Sequence, residues 1–362
     1  MKILIAPDKF KDSLTALKVC EALALGIKRI DPSIEIVNQP MADGGEGTLE
    51  VLKTNLGLEK VEAIVKDPLF RPIKAYYLKN EHIAFIEMAE ASGLKRLETH
   101  EYNPAKTSTF GTGELIKHAI ESGVKRINLF IGGSATNDGG IGLASALGCS
   151  FYSKEGNVLN PTGESLSQIH QIDVNAMKKR IEGIEFKVLT DVTNELYGTD
   201  GAAYVYASQK GANAIQMEEL DNGLRHLANL LNNRNEKIKG AGAGGGIGYG
   251  AISFLGAKVQ SGISFMLDIT QFERKVKEAD LVITGEGRID HQSFQGKVIS
   301  GVMQIAKPYN KAVILTCGYS EIELNDVPAY QIIDISDDLN AAKTNATSYL
   351  RLIGERIVRD LR

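Results

Sequence analysis

Short apolar runs alternate with helical periodicity at both ends of the chain, and a different pattern fills the middle. Ile3-Leu-Ile-Ala6 is closed by Pro7-Asp8, and apolar residues then recur at helical spacing from Leu17 to Ile30. Residues 34–39 read as a second strand, so the chain opens strand–helix–strand, the pattern of a parallel sheet. From about residue 60 the pattern becomes one of alternating strands, over 61–65, 73–78 and 83–87, with turns at Asp67-Pro68 and Lys79–His82. Further in, a capped helix is predicted over 115–121, a strand over 127–131, a small-residue helix over 143–147, a strand over 186–190 and an amphipathic helix over 221–240. After residue 267 the opening pattern returns. Helix 271–279 precedes strand 280–284, and helix 297–307, strands 312–316 and 330–335 and a final helix over 341–361 follow.

The outer segments supply five strands alternating with helices. The expected fold is α/β: a flavodoxin-like doubly wound parallel-sheet domain, with a second mixed α/β domain inserted. The boundaries expected are 1–60 and 268–362 for the discontinuous domain and 61–267 for the insertion. An insertion of about 200 residues is tolerated because the ends of a domain commonly lie close together.

Composition narrows the classes. With 41 basic and 45 acidic residues in 362, the net charge of −4 gives no basic excess for nucleic acid or a membrane surface. Cys20, Cys149 and Cys317 are far apart and form no Cys-x-x-Cys or Cys/His spacing, so neither zinc nor a disulfide framework is indicated. No run of about 18 apolar residues and no signal leader is present. The chain reads as soluble and cytoplasmic.

The candidate chemistry sits where strands end. Pro40–Thr48 carries Asp43-Gly-Gly-Glu46 before a helix, and its amides suit an anion while its acids suit a metal or a hydroxyl. Strand 127–131 runs into Gly132–Gly142, with Ser134, Thr136, Asn137 and Asp138 among five glycines. That loop has the character of a phosphate cradle without the Gly-Lys-Ser/Thr ending of a Walker A loop. Strand 186–190 ends at Asp191, and Lys210 in Gln209-Lys-Gly-Ala212 can reach a phosphate as a point charge. Strand 280–284 stops at a glycine turn that delivers Glu286, Arg288 and Asp290, with Lys297 following. Gly240–Gly250 contains a formal G-x-G-x-x-G, but no strand precedes it, so it reads as a close-packed or flexible stretch and not as a dinucleotide fingerprint. Neither a G-x-S-x-G elbow nor His-Glu-x-x-His occurs. Carboxylates beside glycine loops and a few cations suit phosphoryl transfer.

Several of these stretches resemble one family closely. Asp8-x-Phe-Lys11, Met41-Ala-Asp-Gly-Gly-Glu-Gly-Thr48, Phe110–Leu115, Gly132-Gly-Ser-Ala-Thr-Asn-Asp-Gly-Gly140, Asp191-Val-Thr-Asn194, Gln209–Ala212 and Thr284-Gly-Glu-Gly-Arg-Ile-Asp290 are similar, in order and spacing, to the type-1 glycerate kinases. Lys9, Asp12, Glu195 and Tyr206-Ala-Ser depart from the family pattern without removing any acid or cation above. The resemblance implies ATP-dependent phosphorylation of D-glycerate, giving 2-phosphoglycerate and ADP, in a cleft between the two domains. ATP and Mg²⁺ are the implied cofactors, D-glycerate is the implied partner, and a monomer or a homodimer fits equally.

Roles follow from that chemistry. Asp8, Lys11, Asp43, Gly44, Gly45, Glu46 and Arg288 are expected around the substrate, with Lys11 and Arg288 on its carboxylate. Asp191 is the first choice for the base that takes the hydroxyl proton, and Asp43 the second. Gly132, Gly133, Ser134, Thr136, Asn137, Asp138, Gly139, Lys210 and Glu286 are expected to hold the nucleotide, and Asp138, Glu286 and Asp290 the metal. The alternatives are phosphate transfer to the 3-hydroxyl, a kinase or phosphatase acting on another small hydroxy acid, and a non-catalytic small-molecule sensor.

Overall fold

The computed structural model describes residues 1–336 and 338–362. In chain order the strands are β1 (Lys2–Ile5), β2 (Glu35–Asn38), β3 (Glu59–Lys66), β4 (Pro72–Lys79), β5 (Ile83–Glu87) and β6 (Arg126–Phe130). They continue with β7 (Ser150–Tyr152), β8 (Gln171–Asp173), β9 (Glu185–Leu189), β10 (Lys258–Gln260), β11 (Leu281–Ile289), β12 (Ala312–Ser320) and β13 (Ala329–Gln331). The chain divides into two compact units.

The first unit comprises Met1–Asp43, Glu50–Leu56 and Ser261–Arg362. Its sheet runs β2-β1-β11-β12-β13, and every neighbouring pair is parallel. Counted within the unit this is the flavodoxin order 2-1-3-4-5, whose switch point lies between β1 and its third strand, here β11. Both faces are covered, as the period of two requires. Ile3, Ile5, Ile283 and Ile314 pack with Leu23 and Ile27 of helix Ala16–Ile30 and Leu350, Ile353 and Ile357 of helix Ala346–Asp360. Leu315 and Cys317 point the other way and meet Ile299 of helix Val298–Ala306.

The second unit comprises Gly44–Leu49 and Gly57–Gln260. Its sheet runs β10-β9-β6-β5-β4-β3. β3, β4 and β5 pair antiparallel, as the alternating pattern predicts, and β5, β6, β9 and β10 pair parallel. One continuous core joins Tyr77, Ile86, Ile127 and Leu129 of the sheet to Leu115, Leu143, Leu224, Leu227 and Ile247 of the helices. A separate hairpin pairs β7 with β8.

Three local expectations change. The glycines after residue 284 do not form a turn: β11 continues to Ile289, and its glutamate and arginine pair in register with β12, Glu286 with Cys317 and Arg288 with Tyr319. The last strand is short, because Ile332–Asp334 turns into a 3₁₀ helix. The amphipathic helix is Ala214–Leu231, starting earlier and ending at a left-handed Asn232. Of the two forms expected for the glycine tract near residue 245, the close-packed one is found: it lies in the element Ala243–Leu255, whose Gly244, Gly245 and Gly246 break the helical geometry with left-handed φ.

Candidate active site

In open α/β sheets ligands gather beyond the carboxyl ends of parallel strands. In the second unit three such ends lie side by side. β5 ends at Glu87, β6 leads through Ile131 into Gly132, and β9 leads through Thr190 to the partly buried Asp191.

The Gly132–Gly142 loop is fastened from several directions. Leu94 N–H donates to Gly133 O at 2.9 Å, and Ala135 N–H donates to Ser92 O at 3.0 Å. Asp138 is fully buried and accepts from four donors: Thr109 N and Oγ1 at 2.7 Å each, Gly142 N at 3.2 Å and Gly140 N at 3.1 Å. Burial raises its pKa against those hydrogen bonds. Lys210 is 3% exposed, and its Nζ donates to Thr136 O at 2.7 Å and Ser134 Oγ at 3.3 Å. Burial brings its pKa down to about 7, against the pull of Asp138. Ser134 Oγ in turn donates to Gly244 O at 2.8 Å. A Cβ at Gly245, where φ is +78°, would fall 1.9 Å from Thr136 O, so only glycine lets this backbone lie against the loop.

This fastening corrects part of the expected nucleotide set. Ser134, Thr136, Asn137, Asp138 and Gly139 are turned into the protein, and only Gly132 and Gly133 keep accessible surface. Asp138 staples the loop, both its oxygens being engaged by the chain's own donors. Lys210 braces the loop from within. Asn137 is fully buried, with neither amide atom hydrogen-bonded.

The Gly44–Thr48 turn meets this loop directly. A Cβ at Gly132 would lie 2.7 Å from Gly45 Cα, so the two backbones touch. Beside them Glu46 pairs with Lys95 at 2.5 Å. Glu87 is 3% exposed and accepts from Gly47 N at 3.0 Å and Leu49 N at 3.3 Å. The sequence reading passed over Glu87 and Lys95. Glu87 had the same signal as Asp191, an acid that closes an apolar strand; Lys95 had none.

The first unit gathers a second group at its β1/β11 switch point. Asp8 N–H donates to Gly285 O at 2.8 Å, and Lys9 N–H donates to Asp8 Oδ1 at 2.7 Å. Close packing pushes the Asp8 carboxyl up to about 7; Lys9 opposes this and the charges of Asp43 and Glu286 add to it. Burial also raises Glu286, against a hydrogen bond from Ser293 and the charge of Lys297. Three expected site acids thus share one electrostatic neighbourhood. Lys11 is exposed, and its backbone lies against Gly287 of β11.

Arg288 and Asp290 are otherwise employed. Arg288 pairs with Glu321 at 2.8 Å and lies 3.7 Å from Asp290. Asp290 Oδ1 caps the 3₁₀ helix His291–Phe294, accepting from Gln292 N at 2.8 Å and Ser293 N at 3.2 Å. Capping supplies a structural reason for an acid at that position. Among the described residues no three His, Cys, Asp or Glu side chains converge as a metal cage.

Residues 3–362 match the model of the glycerate kinase family. A glycerate kinase of Bacillus subtilis is 39% identical over 100% of this chain and 97% of its own length. A glycerate 2-kinase of Escherichia coli is 42% identical over 88% of this chain and 85% of its own. A solved structure from Salmonella typhimurium LT2, provisionally assigned as glycerate kinase 2, superposes with a TM-score of 0.85 at 40% identity, covering 100% of this chain and 98% of the other.

Proposed function

The chain belongs to the glycerate kinase family and is an enzyme, and from that premise we propose that it transfers the γ-phosphoryl group of ATP to the 2-hydroxyl of D-glycerate, giving 2-phosphoglycerate and ADP. The observation that carries this reading is the contact of the Gly44–Thr48 turn with Gly132, beside the end of the strand that leads to Asp191. Two glycine backbones with accessible amides next to a partly buried carboxylate offer a phosphate cradle and a base. The name of the Escherichia coli relative supports the 2-hydroxyl as acceptor.

Asp191 takes the hydroxyl proton, with Asp43 as the second choice. Backbone amides of Gly132 and Gly133 meet phosphate oxygens, which makes the nucleotide set smaller and more main-chain than its side chains suggest. Lys11 meets the glycerate carboxylate, with Arg288, whose Nη2 pairs with Glu321, as the second cation for it. Mg²⁺ needs no three-residue cage, because it is commonly held by one or two carboxylates and the substrate's phosphates. Glu286, with Asp8 and Asp43 near it, is the carboxylate for that role, and the ion would neutralise charge on the transferring group. No helix among the described residues is long and apolar enough to cross a membrane.

Phosphorus NMR of the protein incubated with Mg-ATP and D-glycerate tests the reading. The expected result is a new phosphomonoester resonance matching 2-phosphoglycerate. A 3-phosphoglycerate resonance would move the acceptor to the other hydroxyl, and intact ATP would remove glycerate as substrate.

A further inference from the structure

We propose that Glu87 is a positioning residue of the transfer reaction, which sets the Gly44–Thr48 turn against the Gly132 loop. The inference rests on the proposed function only in what the turn is for; the fixing of the turn stands on geometry.

A glutamate that is 3% exposed at the end of β5 needs donors, since a buried carboxylate without them is costly. It finds two in the turn, Gly47 N and Leu49 N, one for each oxygen, at 3.0 and 3.3 Å. These amides lie at the start of helix Thr48–Leu56, where main-chain donors lack intrahelical partners and a negative charge is favoured. The turn is also held by Thr48 Oγ1 and N, both donating to Gly45 O at 2.6 and 3.3 Å, and by the pairing of Glu46 with Lys95 of the 3₁₀ helix Leu94–Arg96. Those contacts shape the turn without anchoring it to the sheet. Glu87 supplies that anchor from β5, whose parallel neighbour β6 launches the Gly132 loop.

The register of the two loops therefore follows from a rigid pair of strands. Glu87 and Phe130 are paired in the β5–β6 ladder, so the anchor of one loop and the root of the other sit side by side. The Gly132 loop has its own braces, Asp138 and Lys210, which do not involve Glu87. Loss of the anchor should thus free the turn and leave the loop in place. Glu87 touches the turn's backbone and acts through it.

The experiment compares Glu87→Gln and Glu87→Asp with the parent, by peptide-resolved hydrogen exchange and by steady-state kinetics with Mg-ATP and D-glycerate. Glutamine keeps the shape but sets an NH₂ group against one amide; aspartate keeps the charge with a shorter reach. The expected result for Glu87→Gln is faster exchange in a peptide spanning 44–49 and unchanged exchange in one spanning 132–142. Turnover with D-glycerate should fall on the order of 10²-fold, the scale of a misplaced reacting group, with ATP affinity kept within about twofold. Aspartate should recover part of both. Unchanged exchange at 44–49, or unchanged turnover, overturns the proposal. So does equal loss of ATP affinity and turnover in both variants, which marks a purely structural role. If the parent leaves D-glycerate untouched, the functional reading fails by itself, and the exchange data alone decide whether Glu87 fixes the turn.

Discussion

Asp8 and Lys210 carry pKa values displaced toward each other, and the displacement sets opposite slopes of stability. Asp8 is raised to about 7 from the ordinary carboxylate range, so between about pH 4 and 7 the folded state binds more protons than the unfolded one, and stability falls as pH rises. Lys210 is lowered to about 7, so from about pH 7 to 10 the unfolded state binds more protons, and stability rises with pH. Thermal melts across pH should show Asp8→Asn gaining on the parent between pH 4 and 7, and Lys210→Met losing the rise above pH 7. Identical slopes in parent and variants would contradict these assignments. Asp191→Asn tests the base: turnover should drop by about 10²–10⁴-fold with the fold intact. Full activity in that variant transfers the role to Asp43. Residue types were readable in the sequence, since strand-ending acids and glycine turns mark themselves. Their direction was not. Asp138 reads alike as a metal ligand and as a staple, and only the structure shows the four donors around it.

Among the elements, strands showed themselves best where periodicity was strong, as in the three alternating strands of the second unit and the apolar runs of the first. The hardest element to read was Ala243–Leu255. Glycine has low helix propensity, so a glycine-rich stretch does not announce a helix. Here three left-handed glycines let one backbone lie on another before the helix resumes, a tertiary reason invisible to local pattern. Gly245→Ala should accordingly destabilise the protein by more than about 1 kcal/mol in denaturant titration, because alanine combines a strained φ with a clash. ATP affinity should weaken in parallel, since the loop it supports carries the accessible Gly132 and Gly133. A neutral Gly245→Ala would show that the loop does not depend on this support. β11 gives the complementary case. Glycines normally interrupt strands, but the parallel partner β12 carries β11 through both of them to Ile289.

At the scale of the whole chain, the order of the five-stranded sheet could be anticipated from strand–helix alternation because right-handed parallel crossovers leave few topologies. The short strands β7, β8 and β10 could not, since three residues are too few to show a period. With no cage of three metal ligands among the described residues, chelation by EDTA should abolish turnover and leave the melting temperature unchanged. A fall in melting temperature on chelation would reveal a structural metal. The edges of the sheets have a consequence of a different kind. β10 and β13 are three residues long and β2 four, while the eight-residue edge strand β3 carries Lys60 and Glu62, 2.9 Å apart, with Lys74 of β4 also paired to Glu62. A foreign strand laid along β3 would have to bury or displace those charges, and along the other edges it would find too few hydrogen bonds. The sheet edges are thus poor templates for strand addition.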